Sequence, residues 1–265
     1  MERTEMAADL GWIVLRDIPK EQARLDNAVY PIQGGFRGFD CVPAGPHYVG
    51  VVDQGQQYGF WCYLDILDVV VKVFDSTRKV FVDDQPESTE RYASLAMSGA
   101  MGNALRSPHP QAFETWSKLT NHISEDDFPP TLYPAPGQTA NRFVQAFSEV
   151  HGGDVDAFLA EFQFAFASWY TNPANSEPLK RWAHLLQSVY NAGERNMASN
   201  PELFAPLVDT MLTQFTLIRD EEFSPQSAIG FGVNYLTEDL IDTEIPSLVE
   251  KGKALESYLA SRGLS

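Results

Sequence analysis

Residues 158–170 read FLAEFQFAFASWY, and the period assigned to them decides the class of fold. Phe162, Phe164 and Phe166 alternate with Gln163 and Ala165, as on a strand with one buried face. Phe158, Phe162, Phe166 and Tyr170 also recur every fourth residue, as on a helix. At about 100° per residue, Phe158, Leu159, Phe162, Phe166, Trp169 and Tyr170 gather within an arc of roughly 120°, and Phe164 points away beside Ala160 and Ala167. Asp154 stands where a helix cap belongs. A capped helix of about 17 residues outweighs a short alternation. Its apolar character on nearly all sides places it in the middle of a bundle.

The same period runs on both sides of it. Residues 140–150, 154–170, 176–195, 200–218 and 236–263 read as helices, with Ser176 and Asn200 as further caps and Pro178 and Pro201 in first turns. Upstream the period changes to that of strands at 12–18, 36–42, 47–53, 58–67, 68–75 and 79–84, separated by IPKEQARLDN, PIQGG, PAGP and QGQQ. Residues 90–105 and 107–123 read as two helices. The expected architecture is α+β: an antiparallel β-sandwich-like domain with terminal helices over 1–125, a Pro-rich linker over 126–139, and an all-α helical bundle over 140–265.

The chain has 265 residues, enough for two cores, with 36 acidic and 19 basic side chains and a net charge of −17. That balance repels phosphate backbones, disfavours direct nucleic-acid binding and suits a basic protein partner. MERTEMAADLGW lacks the pattern of a secretory leader, and no apolar run approaches a membrane span. The chain is therefore expected to be intracellular, with Cys41 and Cys62 as reduced, mostly buried thiols.

Chemistry-bearing motifs are sparse. His47, His109, His122, His151 and His184 form no metal-ligand spacing. His47 reads as a structural histidine at a strand start. His151, Asp154 and Asp156 in HGGDVD lack the remaining oxygens of a calcium loop, and Asp154 is better spent as a cap. QGGFRG (33–38) has no helix after it and reads as a turn. No nucleophile elbow is present. Neither a cofactor, a metal nor a small-molecule substrate is expected. An enzyme with a site between the domains is the rival class.

The segment FRGFDCVPAGPHYV (36–49) resembles the AAR-two splicing-factor family in Phe36, Arg37, Gly38, Pro43, Gly45 and His47. WIVLRDIPKEQARLDN (12–27) is similar to that family's first strand, proline turn and second strand, and TWSKLTNHI (115–123) to one of its helices. Glu161, Phe162, Gln163, Phe164, Ala165 and Phe166, followed by Trp182, resemble its E-x-Q-F-A-F segment and the helix after it. The resemblance covers nearly the whole chain in order. It implies a β-rich domain joined to a helical one, and a non-enzymatic role in pre-mRNA splicing. Family members chaperone U5 small nuclear ribonucleoprotein assembly. They bind the RNase H-like and Jab/MPN domains of its largest protein in the cytoplasm, hold off helicase and RNA until nuclear import, and are released on phosphorylation. The chain ends at Ser265, so the tail that bridges two partner domains in relatives is expected to be absent or very short. A module of the same fold with a non-splicing partner is the alternative. Partner contacts are expected at Arg37, His47, Lys180 and Arg181, while Phe36, Gly38, Pro43, Gly45, Glu161, Phe162, Gln163, Phe164, Phe166 and Trp182 are expected to be mainly structural.

Overall fold

Strand β1, Leu10–Arg16, shows how the amino-terminal half is built. Ile13, Val14 and Leu15 are all fully buried, although neighbouring side chains on a strand point to opposite faces. Both faces must therefore be covered, which is why WIVL reads as a continuous apolar run and not an alternation. In a computed structural model, which describes residues 10–126, 128–133, 142–219, 222–224 and 227–263, the inner face packs on a second sheet and the outer face on a helix.

The strands are β2 (Gln22–Leu25), β3 (Ala28–Pro31), β4 (Gly38–Pro43), β5 (Gly45–Asp53), β6 (Gln56–Leu64), β7 (Val69–Asp75), β8 (Val80–Asp83) and β9 (Leu105–Arg106). They form two sheets, β8-β7-β1-β4-β9 and β3-β2-β5-β6. Ile13, Leu15 and Phe39 of the first sheet share a core with Ala23, Leu25 and Val49 of the second. Val14 and Val71 turn the other way, toward Ala96 of α1 (Pro86–Met97). On the far side of the second sheet, Trp116 of α2 (Pro110–Thr120) stacks on Trp61, with ring centroids 5.7 Å apart, and its indole N–H donates to the Pro46 carbonyl at 2.8 Å.

Two features depart from the antiparallel sandwich read from the sequence. β1 pairs with β7, and β4 with β9, in parallel. Parallel neighbours need a crossover, and between β1 and β7 the chain visits the second sheet. In addition, β2 lies inside IPKEQARLDN, which reads as separator, and forms a hairpin with β3; Asp26, at the turn, takes φ 57°.

After α2 the described chain is helical: α3 (Arg142–Val144) running into a π-helical turn (Gln145–Val150), α4 (Val155–Thr171), α5 (Ser176–Tyr190), α6 (Glu194–Ser199), α7 (Pro201–Phe215), α8 (Val233–Asp242) and α9 (Pro246–Ser261). The opening stretch lies wholly in α4. Phe158, Phe162 and Phe166 are fully buried, and Phe164, on the opposite side, is 7% exposed, so the helix is covered all round. Each buried Phe contributes about 1.5–3 kcal/mol. Asp154 Oδ1 accepts from the Ala157 N–H at 3.0 Å, whereas α5 is capped one residue earlier than expected, by Asn175 accepting from the Glu177 N–H at 3.2 Å. The helix read over 90–105 ends at Met97, where Gly99 and Gly102 take positive φ. The one read over 176–195 is broken after Tyr190, and Gly193 at φ 78° starts α6.

Contacts group residues 1–117 and 124–129 into one compact unit, and 118–123 and 130–265 into a second. Half of the linker read over 126–139 (127 and 134–139) lies outside the described residues, as do 140 and 141 at the start of the helix read over 140–150. Among the described residues no helix is long and apolar enough to cross a membrane.

Candidate partner-binding surface

In the first unit, residues 33–38 form the turn that the sequence implies, with Gly34 and Gly35 at φ 61° and 79°. Phe36 points into the core, 5% exposed, while Arg37 beside it is exposed. The Arg37 backbone is fixed on both sides: its N–H donates to the Ala104 carbonyl and its carbonyl accepts from the Leu15 N–H, both at 2.7 Å. Gly38 closes the turn at φ 135°, and a Cβ there would stand 1.9 Å from the Ile13 carbonyl oxygen, so only glycine fits. The result is a long side chain held on a stiff mount.

Arg37 lines a groove of about 470 Å³ with Leu15, Ile18, Ile32, Asp17 and Lys20. Its floor is apolar and it holds two cations against one carboxylate, in a chain of strongly negative charge. Such a groove suits an apolar side chain next to an acidic one. Among the described residues, its lining includes no Ser, Thr, Cys or His.

His47 is not on this surface. It is 1% exposed, so the expectation that it touches a partner is corrected. A carbonyl can only accept, so Nε2–H donates to the Pro43 carbonyl at 2.8 Å, and Nδ1 meets Asp26 Oδ2 at 2.8 Å. Asp26 Oδ1 also accepts from the Tyr48 N–H at 3.0 Å. Burial alone would lower the His47 pKa, but Asp26 and the Pro43 carbonyl raise it above the ordinary histidine value. Burial raises Asp26 too, against the opposing pull of His47. Both shifts favour the protonated forms, and the hydrogen bonds of the pair tie β5 to the β2–β3 turn. Pro43 and Gly45 are half-buried around it.

In the second unit Lys180 is exposed and pairs with Glu177 across one helical turn at 2.6 Å. Arg181, the next residue, faces inward at 3% exposure, which corrects its assignment as a partner contact. Its Nε and Nη2 both donate to Glu161 at 2.6 Å, in a bidentate fork. Glu161 further bonds His151 Nε2 at 2.8 Å and accepts from the Tyr133 N–H at 2.7 Å. Burial pushes the Glu161 carboxyl up, but the hydrogen bonds from His151 and Arg181 and the guanidinium charge bring it below the usual range. Gln163, two residues on, donates to Asn121 Oδ1 at 2.7 Å and accepts from the His122 N–H at 2.9 Å. The polar letters of E-F-Q-F-A-F are thus interior anchors. Trp182 is fully buried, with its indole N–H on Gln214 Oε1 at 2.9 Å.

Cys62 is buried, and burial holds its thiol protonated; Cys41, contrary to expectation, is exposed. Among the described residues no group of three or more His, Cys, Asp or Glu is placed to hold a metal ion.

Sequence reasoning did not single out Asp26, Asp17, Lys20 or the His151–Glu161 bond. Only Asp26 left a signal, the Asp-Asn pair of a tight hairpin turn; the others come together through the fold.

The chain is thus an α+β protein whose paired-sheet half precedes a helical half organised around a buried aromatic helix and its Glu–Arg–His centre. The AAR2 N-terminal domain matches residues 10–131 and the AAR2 C-terminal repeat region residues 138–262. The chain belongs to the AAR2 family. A comparison with individual curated proteins finds no match.

Proposed function

We propose that the protein is a non-enzymatic assembly factor for the U5 small nuclear ribonucleoprotein. It binds the RNase H-like and Jab/MPN domains of the largest U5 protein and delays helicase and RNA binding. It works in the cytoplasm and shuttles to the nucleus. The observation that carries this reading is the family match over both halves of the chain in order. The net charge of −17 supports it, since a surface of that sign repels RNA while attracting RNA-binding protein surfaces. The stiffly mounted Arg37 and its groove give the partner a directional contact.

Calorimetry with the purified RNase H-like and Jab/MPN domains from the same organism tests the reading directly, beside a pull-down of the full chain with mass spectrometry. Specific binding of either domain is expected. If neither binds and the U5 protein is missing from the eluate, the splicing assignment falls, and the alternative of a fold-sharing module with another partner takes its place.

A further inference from the structure

Most large apolar side chains of the helical unit are buried, yet Phe231 is 58% and Tyr235 61% exposed. Tyr235 lies in the first turn of α8 and Phe231 just before its Gly232 cap, so both mark the amino-terminal end of that helix. Neither results from a loose loop. Gln187 Nε2 donates to the Ala228 and Phe231 carbonyls at 3.0 and 2.8 Å, and the Tyr190 hydroxyl donates to the Ile229 carbonyl at 2.7 Å. Gly232, at φ 96°, lets the chain turn into α8 tight against Tyr190. The opposite face of α8, with Val233, Leu236 and Leu240, is buried. The fold thus holds two aromatic rings out in water.

Their surroundings are acidic. Along the exposed face that carries Tyr235 come Glu238 and Asp242, about 5 and 10 Å of helix further on. A hollow of about 200 Å³ beside them is lined by Asn234, Thr237, Glu238, Glu256 and Leu259. On the other flank Asp239 is half-buried among like charges: burial first, then Asp242, Glu194 and Glu238, raise its pKa. Such crowding costs free energy that a cation would recover.

We infer that this face of α8 docks a basic amphipathic segment of a partner protein, with apolar side chains on Phe231 and Tyr235 and Lys or Arg against Glu238, Asp242, Glu194 and Glu256. Charge chooses this occupant. A second copy of the chain would bring the same acidic stripe and the same −17, and an anionic membrane surface would be repelled. Exposed aromatics ringed by charge have the composition of interface centres. The inference names a contact surface for the proposed role, yet depends only on the chemistry of the partner segment.

The test uses the full chain and, as probe, a synthetic amphipathic Lys/Leu peptide, followed by NMR and calorimetry. Chemical-shift changes are expected around Phe231, Tyr235, Glu238 and Asp242. Affinity should fall at least about tenfold in the Phe231→Ser/Tyr235→Ser variant, in line with loss of a hot spot. It should fall in Glu238→Gln/Asp242→Asn as well, but not in Met97→Ser, an equally exposed apolar control, with thermal unfolding unchanged in all three. An unbound peptide, shifts elsewhere, or equal affinity in the variants would overturn the inference. Self-association that disappears in Phe231→Ser would overturn it too, in favour of a second copy. The same variants are then titrated with the U5 domains. If the peptide binds here while the U5 domains bind nowhere, the surface stands and the splicing partner falls.

Discussion

Glu161→Gln keeps the shape of the side chain and removes its charge. The carboxylate is 1% exposed and receives Arg181 twice at 2.6 Å, His151 at 2.8 Å and the Tyr133 N–H at 2.7 Å. An amide has one acceptor oxygen, so at least one Arg181 N–H and its charge are left buried without a counterpart. Removing one partner of a buried pair costs about 3–5 kcal/mol. At about 2–4 °C per kcal/mol for a unit of this size, the helical unit should melt about 10 °C earlier. Calorimetry on the full chain reads this. Arg181→Met should cost a similar amount, and the double variant about 1 kcal/mol or more less than the sum, because it removes the stranded charge. The pH dependence adds a second check. The native Glu161 pKa is depressed, so its contribution is present above the unfolded carboxylate value and is lost as pH falls through the native one. The effect of Glu161→Gln should shrink accordingly in acid. A loss below about 1 kcal/mol at neutral pH, or strict additivity of the two substitutions, would refute the view of this centre as the anchor of α4.

Three further outcomes are expected. Since the His47 pKa is raised, the stability it contributes is complete below about pH 6.5 and is lost as pH rises through its native value; Asp26, also raised, acts with the same sign. Urea midpoints across that range should fall with pH, less so in His47→Asn, and an imidazole titrating below 6.5 by NMR would contradict it. Gly38→Ala forces a methyl to 1.9 Å from the Ile13 carbonyl at φ 135° and should cost several kcal/mol, about the range of overpacking plus backbone strain; a thermal midpoint like that of the parent would reject the turn geometry. Arg37→Ala and Lys180→Glu should weaken partner binding by calorimetry and leave thermal unfolding within about 0.5 kcal/mol of the parent, as surface changes do.

The legible part of this fold was its periodicity. Four-residue spacing of Phe158, Phe162 and Phe166 fixed α4, and Asp154 its start, because helix formation is a local matter of side-chain period and caps. The apolar run of Ile13, Val14 and Leu15 marked a strand, and the glycines at 34 and 35 a turn. Phe36, Arg37 and Gly38 identified a family segment, yet nothing in their spacing reveals that Arg37 overlooks a groove shared with Lys20 and Asp17. Strand pairing was not legible: β1 lies beside β7 and β4 beside β9 across long stretches of chain, where no local signal reaches.

The sequence by itself determined the helical character of α4 and most of the second half, the strand character of most of the first, the order of the two halves, and the sign of the net charge. Only the tertiary structure decided the fate of the polar side chains. Lys180 and Arg181 are neighbours in one helix with the same charge, and one is in water while the other is clamped on Glu161. A helix turns about 100° per residue, so the side that faces the core depends on what packs there, and burial of a charge is permitted only where the fold has placed its counter-charge.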